Sequence, residues 1–100
     1  MLVKKMVIAQ LSIAPVGKDT SLHTYVQIVI DILKKEQVTF ETNAMATVIE
    51  TPDLSTLFTV VEKVHLAVVS AGAKRVITEL KIDDRRDKKV TIQSKIQSLH

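Results

Sequence analysis

The hydrophobic pattern of this chain changes its period several times, and this alternation constrains the fold more than any other feature. Residues 4–14 alternate between one apolar set and a second, mixed set, which is typical of a β-strand. Residues 22–36 repeat apolar side chains every three or four positions, as an amphipathic helix does. The pattern then predicts two short strands at 38–42 and 45–51, a second helix at 54–70 and a last strand at 75–82.

The element order β-α-β-β-α-β predicts an α+β fold, the ferredoxin-like split β-α-β sandwich. Such a fold has a four-stranded antiparallel sheet with both long helices on one face. Thr91 is a suitable cap for a short C-terminal helix. Because 100 residues and 11.1 kDa leave room for one hydrophobic core, we expect residues 1–100 to form a single domain.

Residues that start and stop helices lie between the periodic segments. Thr20 or Ser21 can cap the first helix, which we expect to end near Glu36. The sequence Thr-Pro-Asp at 51–53 favours the start of the second helix, with the threonine as a cap. Gly72 is a suitable terminator because glycine readily adopts the left-handed conformation.

The strand pattern also predicts which side chains face away from the helices. We expect Val7, Ala9, Leu11 and Ile13 of the first strand to face the helices. An apolar outer face would need a cover, which favours a homodimer or a homotetramer. The residues assigned to that outer face are Met6, Ile8, Gln10, Ser12, Met45, Thr47, Ile49, Arg75 and Ile77.

Composition and motifs argue against most catalytic and cofactor chemistry. The chain has no cysteine and two glycines, so it lacks thiolate metal sites, a cysteine nucleophile and a glycine-rich phosphate loop. Glu62 and His65 stand one helical turn apart, but the sequence nominates no third metal ligand. We therefore expect no enzyme activity, no metal site and no cofactor. The absence of cysteine and of a membrane-spanning apolar run predicts a cytoplasmic protein that does not bind membranes.

Nucleic-acid binding is also disfavoured. The formal net charge of +3 is spread along the chain, and the strands that would stack bases carry no aromatic residue. The most charged segment, residues 83–89, interleaves three acids with four bases. Its side chains can form surface ion pairs within a solvated loop or an ion-pair network between subunits. Binding of nucleic acid ranks third because the acids offset most of the positive charge.

Polar residues on the apolar strands are the remaining candidates for a site. Gln10 and Ser12 lie on the first strand, and Asn43, Thr47 and Glu50 lie around the third. Polar groups buried in a sheet need hydrogen-bond partners. A small polar ligand would supply them, and so would contacts within an oligomer. The second alternative describes a structural or interaction protein without a ligand.

Four segments that together span most of the chain carry a family resemblance. They are residues 13–17 (IAPVG), 43–50 (NAMATVIE), 71–76 (AGAKRV) and 81–88 (KIDDRRDK). In sequence and in order they resemble the small thiamine-binding, YkoF-like proteins, a family long catalogued as uncharacterised. The resemblance implies a ferredoxin-like fold that assembles into dimers and tetramers. It also implies non-catalytic binding of thiamine or of its hydroxymethylpyrimidine moiety.

With thiamine as the expected ligand, the polar residues acquire possible roles. The aminopyrimidine ring needs amide or hydroxyl partners, which Ser12, Asn43 and Thr47 can supply. The cationic thiazolium needs a carboxylate or an aromatic face, and Glu50 is the candidate carboxylate. Because the first and third strands are neighbours in this topology, we expect Ser12 and Thr47 to approach one another.

Overall fold

The computed structural model describes residues 6–17, 22–43 and 45–99, and it confirms the predicted α+β fold. The bounds of most elements lie within two or three residues of those predicted from the hydrophobic period. Thr20 and Ser21, the expected caps of the first helix, lie outside the described residues. The elements in chain order are β1 (Val7–Pro15), α1 (Leu22–Lys35), β2 (Thr39–Thr42), β3 (Thr47–Thr51), α2 (Leu54–Ser70), β4 (Val76–Asp83) and α3 (Ile92–Gln97).

The four strands form one antiparallel sheet in the order β2-β3-β1-β4. β1 pairs with β3 on one side, where Ala9 lies opposite Ile49 and Leu11 lies opposite Thr47. On its other side, β1 pairs with β4 over eight residue pairs, from Ile8 to Pro15. β1 is thus the longest central strand, and β2 and β4 are the two edge strands.

The core lies between the sheet and the two long helices. Leu33 of α1 and Leu57 and Val64 of α2 are fully buried against the sheet. β1 contributes Val7, Ala9 and Leu11, as the alternation in the sequence predicts. The apolar stripe on α2 has the three- and four-residue spacing of an amphipathic helix, and its buried members are Leu57, Val60, Val64 and Val68.

The predicted orientation of β3 is wrong. Thr47, Ile49 and Thr51 face the helices and are buried, whereas Val48 and Glu50 face the other side of the sheet. Opposite residues in an antiparallel pair project to the same face, so the pairing of Ala9 with Ile49 fixes this orientation. The sequence was ambiguous because Thr47, Val48 and Ile49 all suit a strand on either face.

β3 also begins later than predicted, at Thr47 instead of at Met45. The Asn43 side chain forms a turn in which its Oδ1 accepts the backbone N–H groups of Met45 and Ala46, at 2.8 and 2.9 Å. The Ala46 carbonyl oxygen accepts the Asn43 backbone N–H at 2.9 Å, so Ala46 faces β2. The Met45 N–H, on the β1 side, binds the Asn43 side chain and does not bind β1. An asparagine that competes with the strand ladder for backbone donors is a common way to end a strand.

The second helix is capped by a different residue from the one expected. Asp53 is the N-cap of α2 and accepts the backbone N–H of Thr56 at 2.7 Å, whereas Thr51 is the last residue of β3. The Thr51 hydroxyl donates to the Asp53 carbonyl oxygen and so fixes the strand to the helix start. At the other end, the helix stops at Ser70 and Gly72 follows with φ of +109°, as predicted.

The C-terminal segment folds back over the sheet face that α1 and α2 leave open. Thr91 caps α3 as predicted, in a capping box with Ser94. Glu50 Oε1 accepts the backbone N–H of Ile92 at 2.7 Å, and Lys95 forms an ion pair with Asp83 at 2.6 Å. Glu50 and Asp83 are the residues paired with Ile8 on its two sides. Ile8 is consequently only 6% exposed, so part of the apolar outer face is covered within one chain.

Candidate functional site

A cavity of about 290 Å³ lies beside the C-terminal half of β1, between the β2–β3 turn and the first turns of α1. This volume is near the lower limit of small-molecule pockets, which are roughly 300–1,000 Å³. No charged side chain belongs to the described lining. The residues that line it are Leu11, Ser12, Ile13, Ala14, Tyr25, Val26, Val29, Thr42, Asn43, Met45, Ala46, Thr47 and Val68.

Three of the four predicted site residues meet at this cavity, although not by the route expected. Ser12 and Thr47 do not share a face of the sheet, because Thr47 lies opposite Leu11 and projects with it toward the helices. They approach the same cavity because it lies around the first residue of β3, where the β1–β3 pairing stops and β1 continues. Asn43 reaches it from the turn between β2 and β3.

The hydroxyl of Thr47 already has a weak partner within the protein. Its Oγ1 lies 3.4 Å from Oγ1 of Thr42, the residue opposite it on β2. Thr47 is buried, whereas Thr42 and Asn43 are exposed. Asn43 uses its side-chain oxygen in the turn, and its side-chain NH₂ makes no hydrogen bond to any described residue. Thr42, Thr47 and Asn43 therefore offer two hydroxyl groups and one amide donor, and the lining also includes the hydroxyl residues Ser12 and Tyr25.

The open backbone edge of β1 is a feature that the sequence analysis missed. The N–H of Val16 donates to the Arg75 carbonyl oxygen at 2.8 Å, so even-numbered residues of β1 direct their backbone groups toward β4. Odd-numbered residues direct theirs toward β3, but the β3 ladder stops at the Leu11–Thr47 pair. The N–H and C=O of Ile13 thus have no partner on that side among the described residues.

The position of Pro15 agrees with an unpaired edge on the β3 side of β1 beyond Leu11. As an odd-numbered residue it occupies a position whose N–H would point to the open side, where no strand of the described chain needs a donor. Proline is tolerated in a sheet at such positions because it removes no ladder hydrogen bond. Among the residues that the structure describes, Ile13 therefore has the unpaired donor and acceptor nearest to the start of β3.

Tyr25 is the second feature missed, since helical spacing assigned it only to the core of α1. It is 3% exposed and is the single aromatic residue in the cavity lining. Its hydroxyl makes no hydrogen bond to any described residue. A signal was available, because Tyr25 is the only tyrosine of a chain with three aromatic residues. A buried tyrosine usually places its hydroxyl near a polar partner.

Glu50 lies outside the cavity. It faces the opposite side of the sheet, where its carboxylate accepts the Ile92 N–H. The structure therefore explains Glu50 as a residue that holds the C-terminal segment. The reason is again the orientation of β3, which sends Thr47 and Glu50 to opposite faces.

The other candidates have local structural roles. In residues 83–89, Arg85 binds Asp87 at 2.7 Å and Arg86 binds Asp84 at 2.6 Å, as the solvated-loop interpretation predicts. The Arg85 guanidinium holds the pKa of Asp87 below its ordinary value. His65 Nδ1 lies 2.6 Å from Thr78 Oγ1, a contact that ties α2 to β4.

Two further classes of site receive no support from the described residues. Among them, no cluster of three or more histidine, aspartate or glutamate side chains could hold a metal ion. None of the described helices combines the length and the hydrophobicity that crossing a bilayer requires.

Comparisons with known proteins agree with the fold and with the resemblance in sequence. A family model described as "Thiamine-binding protein" matches residues 9–100. A UPF0045 protein of Methanothermobacter thermautotrophicus is 42% identical over 95 residues, covering 94% of this chain and 96% of that protein. A UPF0045 protein of Bacillus subtilis is also 42% identical, over 100 residues, with 95% of each chain covered.

Solved structures are similar over nearly the whole chain. A hypothetical protein of Methanocaldococcus jannaschii superposes with a TM-score of 0.85 at 39% identity, covering 95% of this chain and 96% of that one. A Thermotoga maritima protein, provisionally assigned to thiamine biosynthesis or salvage, superposes with a TM-score of 0.80. It is 20% identical and covers 95% of this chain and 99% of its own, so it supports the fold alone.

Proposed function

Because this chain belongs to the family of thiamine-binding proteins, we propose that it binds thiamine, or the hydroxymethylpyrimidine half of thiamine, in the cavity beside β1 without catalysing a reaction. The observation that carries the proposal is the backbone N–H and C=O of Ile13, which have no partner among the described residues on the β3 side and lie in a cavity whose described lining is uncharged. A 4-aminopyrimidine presents an amino donor beside a ring-nitrogen acceptor. That pair is complementary to the C=O and N–H of one strand residue.

The polar side chains of the site fit the remaining atoms of such a ring. In this proposal the Thr47 hydroxyl, the Asn43 side-chain NH₂ and the Ser12 residue complete the contacts to the pyrimidine. An uncharged lining suits a neutral ring better than a phosphate, because burying an anion without a charged partner is costly. Thiamine phosphates would therefore keep their phosphates outside the cavity, and we expect them to bind no more tightly than thiamine.

The thiazolium cation would lie toward the mouth of the cavity. Tyr25 is the aromatic residue of the described cavity lining. A cation over the face of an aromatic ring gains about 0.5–2 kcal/mol. Glu50 was the sequence-based candidate for this role, but its carboxylate holds Ile92 on the other side of the sheet. We therefore assign the cation contact to Tyr25 in this proposal.

We also propose that the protein acts in the cytoplasm as a homo-oligomer, either a dimer or a tetramer. The absence of cysteine agrees with a reducing compartment. The exposed long edge strand β4 supports assembly more strongly than the outer face of the sheet, where α3 already covers Ile8.

The alternative function, a structural or interaction protein, is favoured by the contacts that its polar residues already make. Asn43 stabilises its turn, and Thr42 and Thr47 contact each other. If these residues serve only to stabilise the fold, thiamine does not bind the protein and does not raise its melting temperature.

Calorimetry with thiamine and with hydroxymethylpyrimidine separates the two functions. We expect both compounds to bind the parent and to raise its melting temperature by mass action. Thr47→Val keeps the side-chain size and removes the hydroxyl, so it should weaken binding by about 1 kcal/mol or more. Thr39→Val is the matched control, because Thr39 lies on β2 outside the cavity lining. A parent that binds neither compound would establish the alternative.

A further inference from the structure

Met45 is an exposed residue that also lines the cavity beside β1. The Asn43 backbone N–H donates to the Ala46 carbonyl oxygen at 2.9 Å, so Met45 lies in the short connection between β2 and β3. The Met45 N–H donates to Asn43 Oδ1 at 2.8 Å, which holds the backbone of this residue beside the cavity. Met45 is 86% exposed, so packing in the core does not explain an apolar side chain at this position.

Methionine supplies all the sulfur chemistry of this chain, which has three methionines and no cysteine. Met1 lies outside the described residues, and Met6 is half-buried at the start of β1 and outside the cavity lining. A peroxide oxidises a thioether only when it reaches the sulfur through solvent. Exposure therefore favours oxidation of Met45 over oxidation of Met6.

We propose that Met45 is a site of reversible oxidation by peroxides, and that its sulfoxide weakens ligand binding in the cavity beside β1. In this step the Met45 sulfur attacks one oxygen of hydrogen peroxide, so that an S–O bond forms and the O–O bond breaks. The sulfur loses two electrons, and the departing hydroxide takes the proton of the transferred oxygen and leaves as water. A dithiol-dependent reductase reverses the step, since the sulfoxide oxygen leaves as water while the dithiol becomes a disulfide.

The position of Met45 explains why its oxidation affects the ligand. The β1–β3 pairs Ala9–Ile49 and Leu11–Thr47 would continue to Ile13 and Met45 if the ladder did not stop. Met45 therefore stands across the cavity entrance from the backbone N–H that the proposed ligand uses. This part of the inference rests on the proposed function, whereas the oxidation of Met45 does not.

The sulfoxide converts an apolar contact into a hydrogen-bond acceptor. The Ile13 N–H and the Asn43 side-chain NH₂ have no partner among the described residues, and both line the same cavity. A sulfoxide oxygen at position 45 competes with the ligand for these donors. A ligand that covers the sulfoxide must also displace the water bound to it, which is costly when no new hydrogen bond replaces that water.

Peptide mapping after treatment with dilute hydrogen peroxide tests the oxidation site. Trypsin places Met6 on the peptide 6–18 and Met45 on the peptide 36–63, so mass spectrometry follows each methionine separately. We expect Met45 to gain one oxygen atom about fivefold faster than Met6 or more. Treatment in concentrated urea is the control, because both methionines are then exposed and should react at similar rates.

Protection by a ligand tests whether Met45 contacts the occupied site. Hydroxymethylpyrimidine is the suitable compound, since it has no thiazolium sulfur that would consume peroxide. In excess it should slow oxidation of the peptide 36–63 and leave the peptide 6–18 unaffected.

Calorimetry with thiamine, after removal of peroxide, tests the effect on binding. We expect oxidation of the parent to raise the dissociation constant about tenfold or more. Methionine sulfoxide reductase with dithiothreitol should restore the original value. Met6→Leu should lose affinity on treatment as the parent does. Met45→Leu has no sulfur at this position, so its own dissociation constant should be the same before and after treatment.

Two results would overturn the proposal. One is a folded protein in which Met45 is oxidised no faster than Met6, and the other is an oxidised parent that binds thiamine as tightly as the untreated protein. A parent that does not bind thiamine before treatment would contradict the proposed function and the effect on binding together. The peptide map would still decide whether Met45 is the oxidation site.

Discussion

The side chain of Asn43 stabilises the β2–β3 turn and also lines the cavity. Its oxygen accepts two backbone N–H groups, and its NH₂ points to no described partner. We predict that Asn43→Ala lowers the free energy of unfolding by about 0.5–2 kcal/mol, the range for a lost capping side chain. Urea unfolding of the free protein measures this effect.

Asn43→Asp is the informative companion variant. It keeps the oxygen that the turn requires and replaces the NH₂ by an acceptor. It should unfold close to the parent and still bind thiamine more weakly. An Asn43→Asp protein that binds like the parent would remove Asn43 from the site.

Asp53 gives the stability of α2 a dependence on pH. Hydrogen bonds from the backbone and then from the side chain of Thr56 hold the pKa of Asp53 below its ordinary value. A lowered folded pKa stabilises the native state above the unfolded pKa of about 3.9, and this contribution is lost as pH falls through the folded value. We predict that Asp53→Asn, which can still cap the helix, flattens the acid side of the stability profile. Urea midpoints from neutral pH to about pH 2 test this.

The residues of the candidate site could be predicted only in part. Ser12, Asn43 and Thr47 were predicted because polar side chains on apolar strands need partners, and all three line the cavity, while their contact with a ligand stays a prediction. Glu50 was assigned to the site because the residues of β3 suit either face of a sheet, so the sequence does not determine which face each of them occupies. The backbone of Ile13 could not be predicted from residue types, since every residue carries the same N–H and C=O.

Among the helices, α3 is the shortest, and side chains far away in the chain hold it. It has six residues, too few to be stable alone, and it is held by Glu50 and Asp83 from two different strands. We predict that Glu50→Ala loses about 1–3 kcal/mol, the cost of a lost hydrogen bond to a charged group, whereas Glu50→Gln keeps an acceptor and loses less. Amide hydrogen exchange of residues 92–97 should accelerate in Glu50→Ala.

The control for this prediction lies on the same segment. Lys95→Ala removes an ion pair between half-exposed side chains, which contributes about 0–1 kcal/mol. Equal exchange rates in Glu50→Ala and Lys95→Ala would show that the Glu50 carboxylate does not hold α3.

The strands and helices themselves were predictable because their hydrophobic periods differ and glycine or proline separates them. The start of β3 was not, because Asn43 draws two amides out of the ladder. The position of α3 was not predictable either, since its sequence carries a cap and an apolar side but no information on which surface it covers. Long-range contacts such as Glu50 with Ile92 decide that.

At the scale of the whole molecule, assembly and stability should be linked. If two copies pair through β4, dimer formation stabilises the native state, and the melting temperature rises with protein concentration. We predict this dependence for the parent protein. Differential scanning calorimetry over a hundredfold range of protein concentration, roughly, measures it. A parent whose melting temperature stays constant across that range would argue for a folded monomer.

The fold of the whole molecule followed from the sequence because six alternating segments allow few arrangements that bury both helices. Its assembly did not follow in the same way. The outer face looked uncovered until α3 was seen to bury Ile8, and the edge strand became the better interface only when the sheet order was known.

The late start of β3 has a consequence for how this site can change under mutation. A donor and an acceptor supplied by the main chain survive nearly every amino-acid replacement, so drift at position 13 would leave recognition intact. We predict that Ile13→Val binds thiamine like the parent, while Ile13→Pro, which deletes the N–H, does not; calorimetry of both variants tests this. Lengthening the β2–β3 hairpin by two residues would let the protein's own strand occupy the ligand's place. Loss or change of specificity in such a protein would then arise through insertions and deletions in one turn, with the surrounding side chains unaltered.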